Sequence, residues 1–67
     1  MAIAKVTEIS SSSSVSFEDA IQNGIVRAAR TIRHIESAWI KEQNVVVDDD
    51  QVTEWRVHML ITFLLDE

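Results

Sequence analysis

The most constraining feature of this sequence is one long stretch of alternating side chains near its end. From Val52 to Leu65, apolar residues fall on one face of an extended strand and more polar ones on the other. The first face carries Trp55, Val57, Met59, Ile61, Phe63 and Leu65. Such a strand would span roughly 45 Å, whereas a globule of 67 residues has a radius of gyration of only about 11 Å. A strand of this length would extend beyond its own domain, and we expect neighbouring subunits to cover it.

The preceding segment supplies a partner for this strand. The residues from Ser37 to Val47 include the β-branched run Val45-Val46-Val47, which favours a second strand. Between the two strands, the acidic segment Asp48–Gln51 is predicted to form a hairpin turn of several residues. The simplest interpretation of its three aspartates is a solvated turn, and the alternative is weak binding of Ca²⁺ or Mg²⁺ through carboxylate oxygens.

A helix is predicted before the hairpin. Ser16 and Asp19 fit a helix-start signature. Apolar side chains then recur every three or four residues, which predicts a helix that continues to about Glu36. They are Phe17, Ile21, Ile25, Ala28, Ile32 and Ile35. Gly24, the only glycine, lies within this helix and predicts the close approach of a strand or of a neighbouring subunit.

The first segment, Ala2 to Ser10, is β-leaning and is predicted to be a strand. The serine run Ser10–Ser14 is then expected to form a solvated turn, because serine hydroxyls compete for backbone hydrogen bonds. Phosphate binding by this run is the alternative, although the glycine and lysine of a P-loop are missing. The predicted order is therefore β-α-β-β.

Composition narrows the function classes. The chain has no cysteine and two histidines, which excludes disulfides and argues against a closed zinc site. A net charge of −5 argues against nucleic-acid binding. Neither a secretory signal nor a membrane span is expected, so the sequence predicts a cytoplasmic protein that is stabilised by self-association.

The sequence resembles the dodecin family, small flavin-binding proteins that assemble as hollow dodecamers. The resemblance covers essentially the whole chain, residues 1–67, as a single domain. It rests on the serine-rich segment before the helix and on three further segments: AIQNGIVRAARTIRHI, AWIKEQ and EWRVHMLITFLLDE. It implies an α+β fold in which a three-stranded antiparallel sheet wraps around one helix and twelve copies form a shell.

The resemblance also implies a ligand site. Trp39 aligns with a tryptophan that stacks on the flavin near a two-fold axis, and an aromatic stack adds about 0.5–1.5 kcal/mol beyond the area it buries. From the residues alone, packing at an intersubunit contact is the favoured role for Trp39, because buried aromatic side chains mostly serve packing. The resemblance shifts the preference to stacking.

Arg56 occupies a position where flavin-binding members commonly carry a glutamine that bonds the pyrimidine edge of the ring. Arginine only donates hydrogen bonds, whereas glutamine donates and accepts. Arg56 could bond flavin carbonyls or a phosphate, or it could pair with Glu54 or Glu42. Glu42 is a candidate for the same pocket. Arginine here also resembles a branch of the family for which calcium binding has been proposed.

Two function hypotheses follow. The first is a non-catalytic flavin store for riboflavin or FMN, in which Trp39, Arg56 and Glu42 hold the cofactor. The second is a structural or divalent-cation-binding oligomer that has lost flavin affinity. No residue is assigned as a metal ligand. No residue is assigned as catalytic either, because His34 and His58 lack an adjacent nucleophile. His34 is expected to contact the last helix carbonyls, and His58 to lie on the more polar face of the last strand.

Overall fold

The computed structural model describes residues 3–65, and the predicted strand start at Ala2 lies outside that range. The elements are β1 (Ala4–Ser13), α1 (Phe17–Ala28), β2 (Ile35–Asp48) and β3 (Gln51–Leu64). All the pairings are antiparallel, and the strand order is β1-β3-β2. The predicted β-α-β-β order and three-stranded sheet are confirmed, with β3 as the central strand.

The core lies between α1 and the face of the sheet that we call the inner face. Val57, Met59 and Ile61 of β3 are fully buried there, as is Ala20 of α1. The partly buried side chains packed around this cluster are Ile9, Phe17, Ile21 and Ile25. The alternation in β3 is therefore confirmed. Burying one such aliphatic side chain stabilises the fold by about 1.5–3 kcal/mol.

The start of α1 follows the predicted cap. Ser16 has an extended backbone, and its hydroxyl oxygen accepts a hydrogen bond from the backbone N–H of Asp19 at 3.0 Å. The Asp19 carboxylate in turn accepts bonds from the Ser13 hydroxyl at 2.6 Å and from the Asn23 amide at 3.0 Å. A cap of this kind is worth about 1 kcal/mol, and these bonds also fix how β1 leads into the helix.

The predicted end of the helix at Glu36 is wrong, because α1 ends at Ala28. The backbone then turns, and His34 adopts a left-handed conformation with φ 61°. Ile35 belongs to β2 and pairs with Phe63. The prediction failed because the helical spacing of apolar residues continues beyond Ala28. In the structure, the pairing of β2 along the whole length of β3 outweighs the local helix propensity.

The predicted serine turn is also wrong, because Ser10–Ser13 belong to β1 and pair with β3. Two of these serines face the helix and bond to it. The Ser11 hydroxyl donates to the carbonyl of Ala20 at 2.7 Å, and Ser13 bonds to Asp19 as described above. Side-chain hydrogen bonds to α1 therefore keep this segment in a strand, although its composition favours a turn.

Gly24 allows α1 to pack closely against β1 and β3. A Cβ atom at Gly24 would lie 2.6 Å from Cε of Met59 and 3.0 Å from Cβ of Ser11. The predicted close approach of a strand is confirmed, and both β1 and β3 make it.

The hairpin between β2 and β3 is tighter than expected. Asp48 pairs with Gln51, so the loop contains only Asp49 and Asp50, with φ values of 52° and 62°. Two left-handed residues are the signature of the two-residue turn that matches strand twist. Aspartate tolerates this conformation better than most residues.

The hairpin extends well beyond the rest of the chain, as the length of the alternating segment predicts. The last pair between β1 and β3 joins Ser13 to Trp55, so the hairpin rows beyond it have no third strand. The described chain measures 51 Å along its longest axis, whereas a helix of 12 residues is only about 18 Å long. Within residues 3–65, no helix has the length and apolar character needed to cross a membrane.

Candidate functional site

The three residues predicted to hold a ligand lie on the outer face of the sheet, which we define as the face turned away from α1. The pairing places Trp39 opposite Leu60 and Leu60 opposite Glu8, so these three form one row across the sheet. The next row contains Ser10, His58 and Glu42, and the one after it Ser12, Arg56 and Asn44. Successive rows on one face are about 7 Å apart.

A β-bulge decides that Glu42 belongs to this face. Strict alternation from Trp39 would turn Glu42 toward the helix side. The register shift between Ile40 and Glu42 adds one residue to β2, so Ile40 pairs with the inward Met59 and Glu42 with the outward His58. The bulge therefore brings Trp39 and Glu42 onto the same face.

Trp39 is the most exposed large apolar side chain among the described residues, with 71% of its surface accessible. It lies on β2, an edge strand. The outer face is mixed on both sides of Trp39. Toward the start of β1 it carries the row Val6–Thr62–Ser37 and then Ala4 opposite Leu64, and toward the hairpin the polar rows of His58 and Arg56 come before Val46, Val47 and Val52. Trp39 thus lies one row away from Glu42 and two rows away from Arg56.

Arg56 is bound within its own chain. Its Nε donates to the Glu54 carboxylate at 3.3 Å, and about half of the Arg56 side chain is exposed. A hydrogen bond from Ser12 lowers the pKa of Glu54, and the bond and charge of Arg56 lower it further. Of the partners considered for Arg56, Glu54 is the one that the described structure pairs with it.

A second ion pair lies beside Trp39. Lys41, in the bulge, reaches Glu8 of β1 with an Nζ–Oε2 distance of 3.1 Å. Because β1 and β2 are the two edge strands, this pair joins them across β3. Both side chains are about half exposed, so the pair is worth at most about 1 kcal/mol. Glu8 and Trp39 lie on either side of Leu60 in the same row of the outer face.

The remaining candidates lie apart from one another. Asp48, Asp49 and Asp50 are exposed at the hairpin tip. His58 lies on the outer face opposite Glu42, as its alternation predicts. His34 lies beyond the end of α1, and its backbone carbonyl accepts a bond from the N–H of Leu64. Its contact with the last helix carbonyls stays a prediction. No group of three or more potential metal-ligating side chains occurs in the described part of a single chain.

Sequence reasoning missed two residues of this face, Lys41 and Asn44. Asn44 pairs with Arg56 across the strands, and its carboxamide both donates and accepts hydrogen bonds. The bulge hid them, since it reverses the alternation within β2. The alternation in β3 was the available signal for these residues. Once the hairpin register is known, each β3 residue on the outer face identifies the β2 residue that pairs with it.

These features define a class: a small β-α-β-β protein with one helix on an open antiparallel sheet, an overhanging hairpin and an exposed tryptophan on the outer face. The family model for dodecin matches residues 3–66. The chain belongs to the dodecin family.

Solved structures agree with this assignment. Dodecin from Streptomyces davaonensis is 33% identical, with a TM-score of 0.94 over 98% of this chain and 97% of that one. An arginine-to-alanine variant of the Thermus thermophilus dodecin is 30% identical, with a TM-score of 0.94 over 100% of both chains. Calcium dodecin from Mycobacterium tuberculosis, described as a calcium-chelating immunodominant antigen with a novel calcium-binding site, is 26% identical, with a TM-score of 0.82 over 96% of this chain and 91% of that one. No curated protein matches the sequence.

Proposed function

We propose that this protein is a non-catalytic flavin store that sequesters riboflavin or FMN within a homododecameric shell in the cytoplasm. The observation that carries the proposal is the indole of Trp39, 71% exposed on the outer face of the sheet. Leaving so large an apolar ring in water is unfavourable. A planar ligand stacked on it, or a second indole, removes that cost.

The order of the rows on the outer face suits a flavin. An isoalloxazine ring has an apolar dimethylbenzene end and a pyrimidine end that both donates and accepts hydrogen bonds. The row of Trp39 is followed toward the hairpin by the row of Glu42 and His58 and then by the row of Arg56. A ring stacked on Trp39 would reach Glu42 and Arg56 with its pyrimidine end.

Arg56 and Glu42 are proposed to hold the polar end. Arg56 donates to flavin carbonyls and Glu42 accepts from the ring N–H, so together they offer the two functions that a single glutamine side chain combines. Arg56 is already oriented by Glu54 at 3.3 Å, which reduces the entropy lost when it bonds a ligand.

The proposed stack supports storage rather than catalysis. A ring stacked between indoles of two subunits has both faces covered, so no substrate reaches its reactive atoms. His58 lies between Ser10 and Glu42 in one row of the outer face, and the proposal gives it no catalytic role.

The uncovered surface supports the shell. The helix contacts β1 and β3, so Ile40 and Val45 on the inner face of β2 remain exposed, as do Val47 and Val52 near the hairpin tip. A soluble chain of this size seldom leaves so many apolar side chains exposed without a partner. Native mass spectrometry is expected to give twelve subunits, and a stable monomer or dimer would refute the shell.

Titration of tryptophan fluorescence tests the flavin site. The chain has two tryptophans: Trp39 on the outer face and the partly buried Trp55 on the inner face. We expect riboflavin and FMN to quench the Trp55→Phe variant, in which Trp39 is the reporter, and to quench the Trp39→Phe variant much less. Equal quenching of both variants, or of neither, would contradict the assignment.

One observation favours a second candidate function, divalent-cation binding. The M. tuberculosis relative is described as chelating calcium, and this chain carries Asp48, Asp49 and Asp50 at its hairpin tip. Since no described cluster within one chain could hold a metal, such a site would need carboxylates from several subunits. A calorimetric titration with CaCl₂ on the flavin-free oligomer, with an Asp48→Asn control, tests this candidate.

A further inference from the structure

His58 and Glu42 face each other on the outer face of the sheet, and neither side chain has a partner within the described chain. The two residues are directly opposite in the register of β2 and β3, and the Cβ atoms of such cross-strand neighbours lie about 4.5–5.5 Å apart. Among residues 3–65, neither side chain makes a hydrogen bond or an ion pair. A half-buried imidazole therefore lies within reach of an exposed carboxylate.

The carboxylate of Glu8 is the next nearest to His58. Glu8 lies on β1, one row beyond Ser10, which is the β1 residue directly opposite His58. Such diagonal neighbours are about 7–8 Å apart. The Glu8 carboxylate also accepts from Nζ of Lys41 at 3.1 Å. Glu8 is thus farther from His58 than Glu42 is, and a lysine already compensates its charge.

Arg56 is the cation nearest to His58 on the same strand. It lies one row closer to the hairpin, about 7 Å along β3. Its Nε donates to the Glu54 carboxylate at 3.3 Å, which partly offsets its charge. The helix packs against the opposite face of the sheet. Among the described residues of this part of the outer face, Glu42 is therefore the carboxylate left to bind a protonated His58.

Protonation of His58 changes what Glu42 can bind. Histidine is the side chain whose charge ordinarily changes between about pH 5 and pH 8. A neutral imidazole has one N–H donor, whereas an imidazolium donates from both nitrogens. An imidazolium opposite Glu42 attracts the carboxylate through a charge-assisted hydrogen bond. That bond occupies the oxygen lone pairs that the proposed function assigns to the ring N–H of a flavin.

We propose that His58 is a positioning residue that controls, through Glu42, how tightly the outer face holds a flavin as the pH changes. This proposal rests on the flavin site proposed above and adds its regulation. Near the upper end of the histidine range, neutral His58 leaves the Glu42 carboxylate free to accept from the ring. Near the lower end, the imidazolium draws the carboxylate toward β3, and the ring N–H loses its acceptor.

The direction of the pH dependence follows from linkage. The ligand-free protein binds the proton on His58 more tightly than the complex does, because the flavin takes the carboxylate that stabilises the imidazolium. Flavin affinity therefore falls as the pH falls, and flavin binding within the histidine range releases protons. Acidification would empty the store, and a return to neutral pH would refill it.

Riboflavin titrations across this pH range test the proposal. Riboflavin is the probe because the phosphate of FMN itself titrates at about pH 6. Followed by flavin fluorescence, the dissociation constant of the wild type is expected to rise about fivefold from about pH 8 to about pH 5, the upper size of a solvent-exposed ion pair. Calorimetry within the range should give a binding enthalpy that varies with the ionisation enthalpy of the buffer, because protons are released.

Three variants separate this pairing from general effects of acid. His58→Gln keeps a polar side chain that does not titrate, and it should flatten the pH profile. Glu42→Gln keeps an acceptor carbonyl without the charge, so it should bind riboflavin more weakly but equally across the range. The chain has two histidines, and His34→Asn is the matched control. Asparagine tolerates the left-handed backbone of His34, and the variant should retain the wild-type profile.

Light scattering and circular dichroism at each pH confirm that the wild type and the variants keep the same mass and secondary structure. A wild-type profile that is flat or that rises toward acid would overturn the proposal while the flavin site stands. So would a falling profile that persists in His58→Gln or in Glu42→Gln, or one that disappears in His34→Asn. If the wild type binds no riboflavin at any pH, the proposed flavin site is wrong and the role of His58 falls with it.

Discussion

The two faces of the sheet differ in how far the chain itself has covered them. On the inner face, Val57, Met59 and Ile61 have no accessible surface. On the outer face, Leu60 is half-buried and Trp39 is 71% exposed. Burial within the chain stabilises the monomer fold, whereas apolar surface left exposed remains available for a ligand or another subunit. We therefore propose that the part of the inner face under α1 serves folding and that the outer face serves binding.

The strongest test of this division is Met59→Ala. Met59 is fully buried among Ala20 and Val57, and truncation of a buried methionine costs about 2–5 kcal/mol through lost burial and the cavity left behind. We expect a large drop in the unfolding midpoint in urea. Leu60→Ala, the next residue on the opposite face, is the control and should cost the isolated chain much less. Equal losses in the two variants would remove the distinction between the faces.

The second test is Trp39→Ala, which should separate binding from folding. Loss of the stacking surface is expected to lower flavin affinity at least tenfold, about 1.4 kcal/mol or more. The free energy of unfolding of the flavin-free protein should change little, since the side chain is mostly exposed. Fluorescence of the flavin itself provides the readout, because the variant has lost its reporter tryptophan. Unchanged affinity would show that this face does not bind the ring.

The third test, Arg56→Gln, alters the row of the outer face that is proposed to contact the polar end of the flavin. Glutamine can both donate and accept, as in the flavin-binding relatives, and one net hydrogen bond is worth about 0.5–1.5 kcal/mol, or roughly a two- to tenfold gain in riboflavin affinity. FMN separates two mechanisms. If Arg56 contacts a phosphate, the substitution weakens FMN while it tightens riboflavin; if Arg56 contacts only the ring, both tighten. Titration of both ligands against both proteins measures the difference, and no change for either would exclude Arg56 from the site.

The fold was predictable where one physical signal dominated. The β3 alternation, the Ser16 cap and the close approach at Gly24 are local patterns with a single structural solution, and all three are confirmed. The errors fall where tertiary contacts oppose local preference. Ser10–Ser13 form a strand because two of them bond to α1. The helix stops at Ala28 because Ile35 pairs with Phe63.

The candidate site was only partly predictable for a related reason. Trp39 and Arg56 were named from a family resemblance and Glu42 from its place in the strand beyond Trp39, but their shared face depends on the bulge between Ile40 and Glu42. A bulge has no reliable sequence signature, and one extra residue reverses the orientation of every side chain that follows. The sequence also could not predict that Arg56 pairs with Glu54 rather than Glu42, because this choice depends on the strand register and on the side-chain rotamers. The placement of Asn44 beside Arg56 required the register of the whole hairpin.

The smallest expected effect concerns acid. Hydrogen bonds from Ser12 and Arg56 hold the pKa of Glu54 below its ordinary value of 4.5. The folded state therefore favours the carboxylate, and its contribution to stability is present above pH 4.5 and declines as pH falls through the lowered pKa. Because this ion pair is exposed to solvent, we expect a slight loss that added salt reduces. Glu54→Gln should remove this part of the acid dependence of the urea midpoint, whereas Glu18→Gln, on the exposed first turn of α1, should leave it in place. If the two variants show the same acid profile, the Ser12–Glu54–Arg56 arrangement contributes nothing to stability, and its role is limited to orienting Arg56 for the ligand.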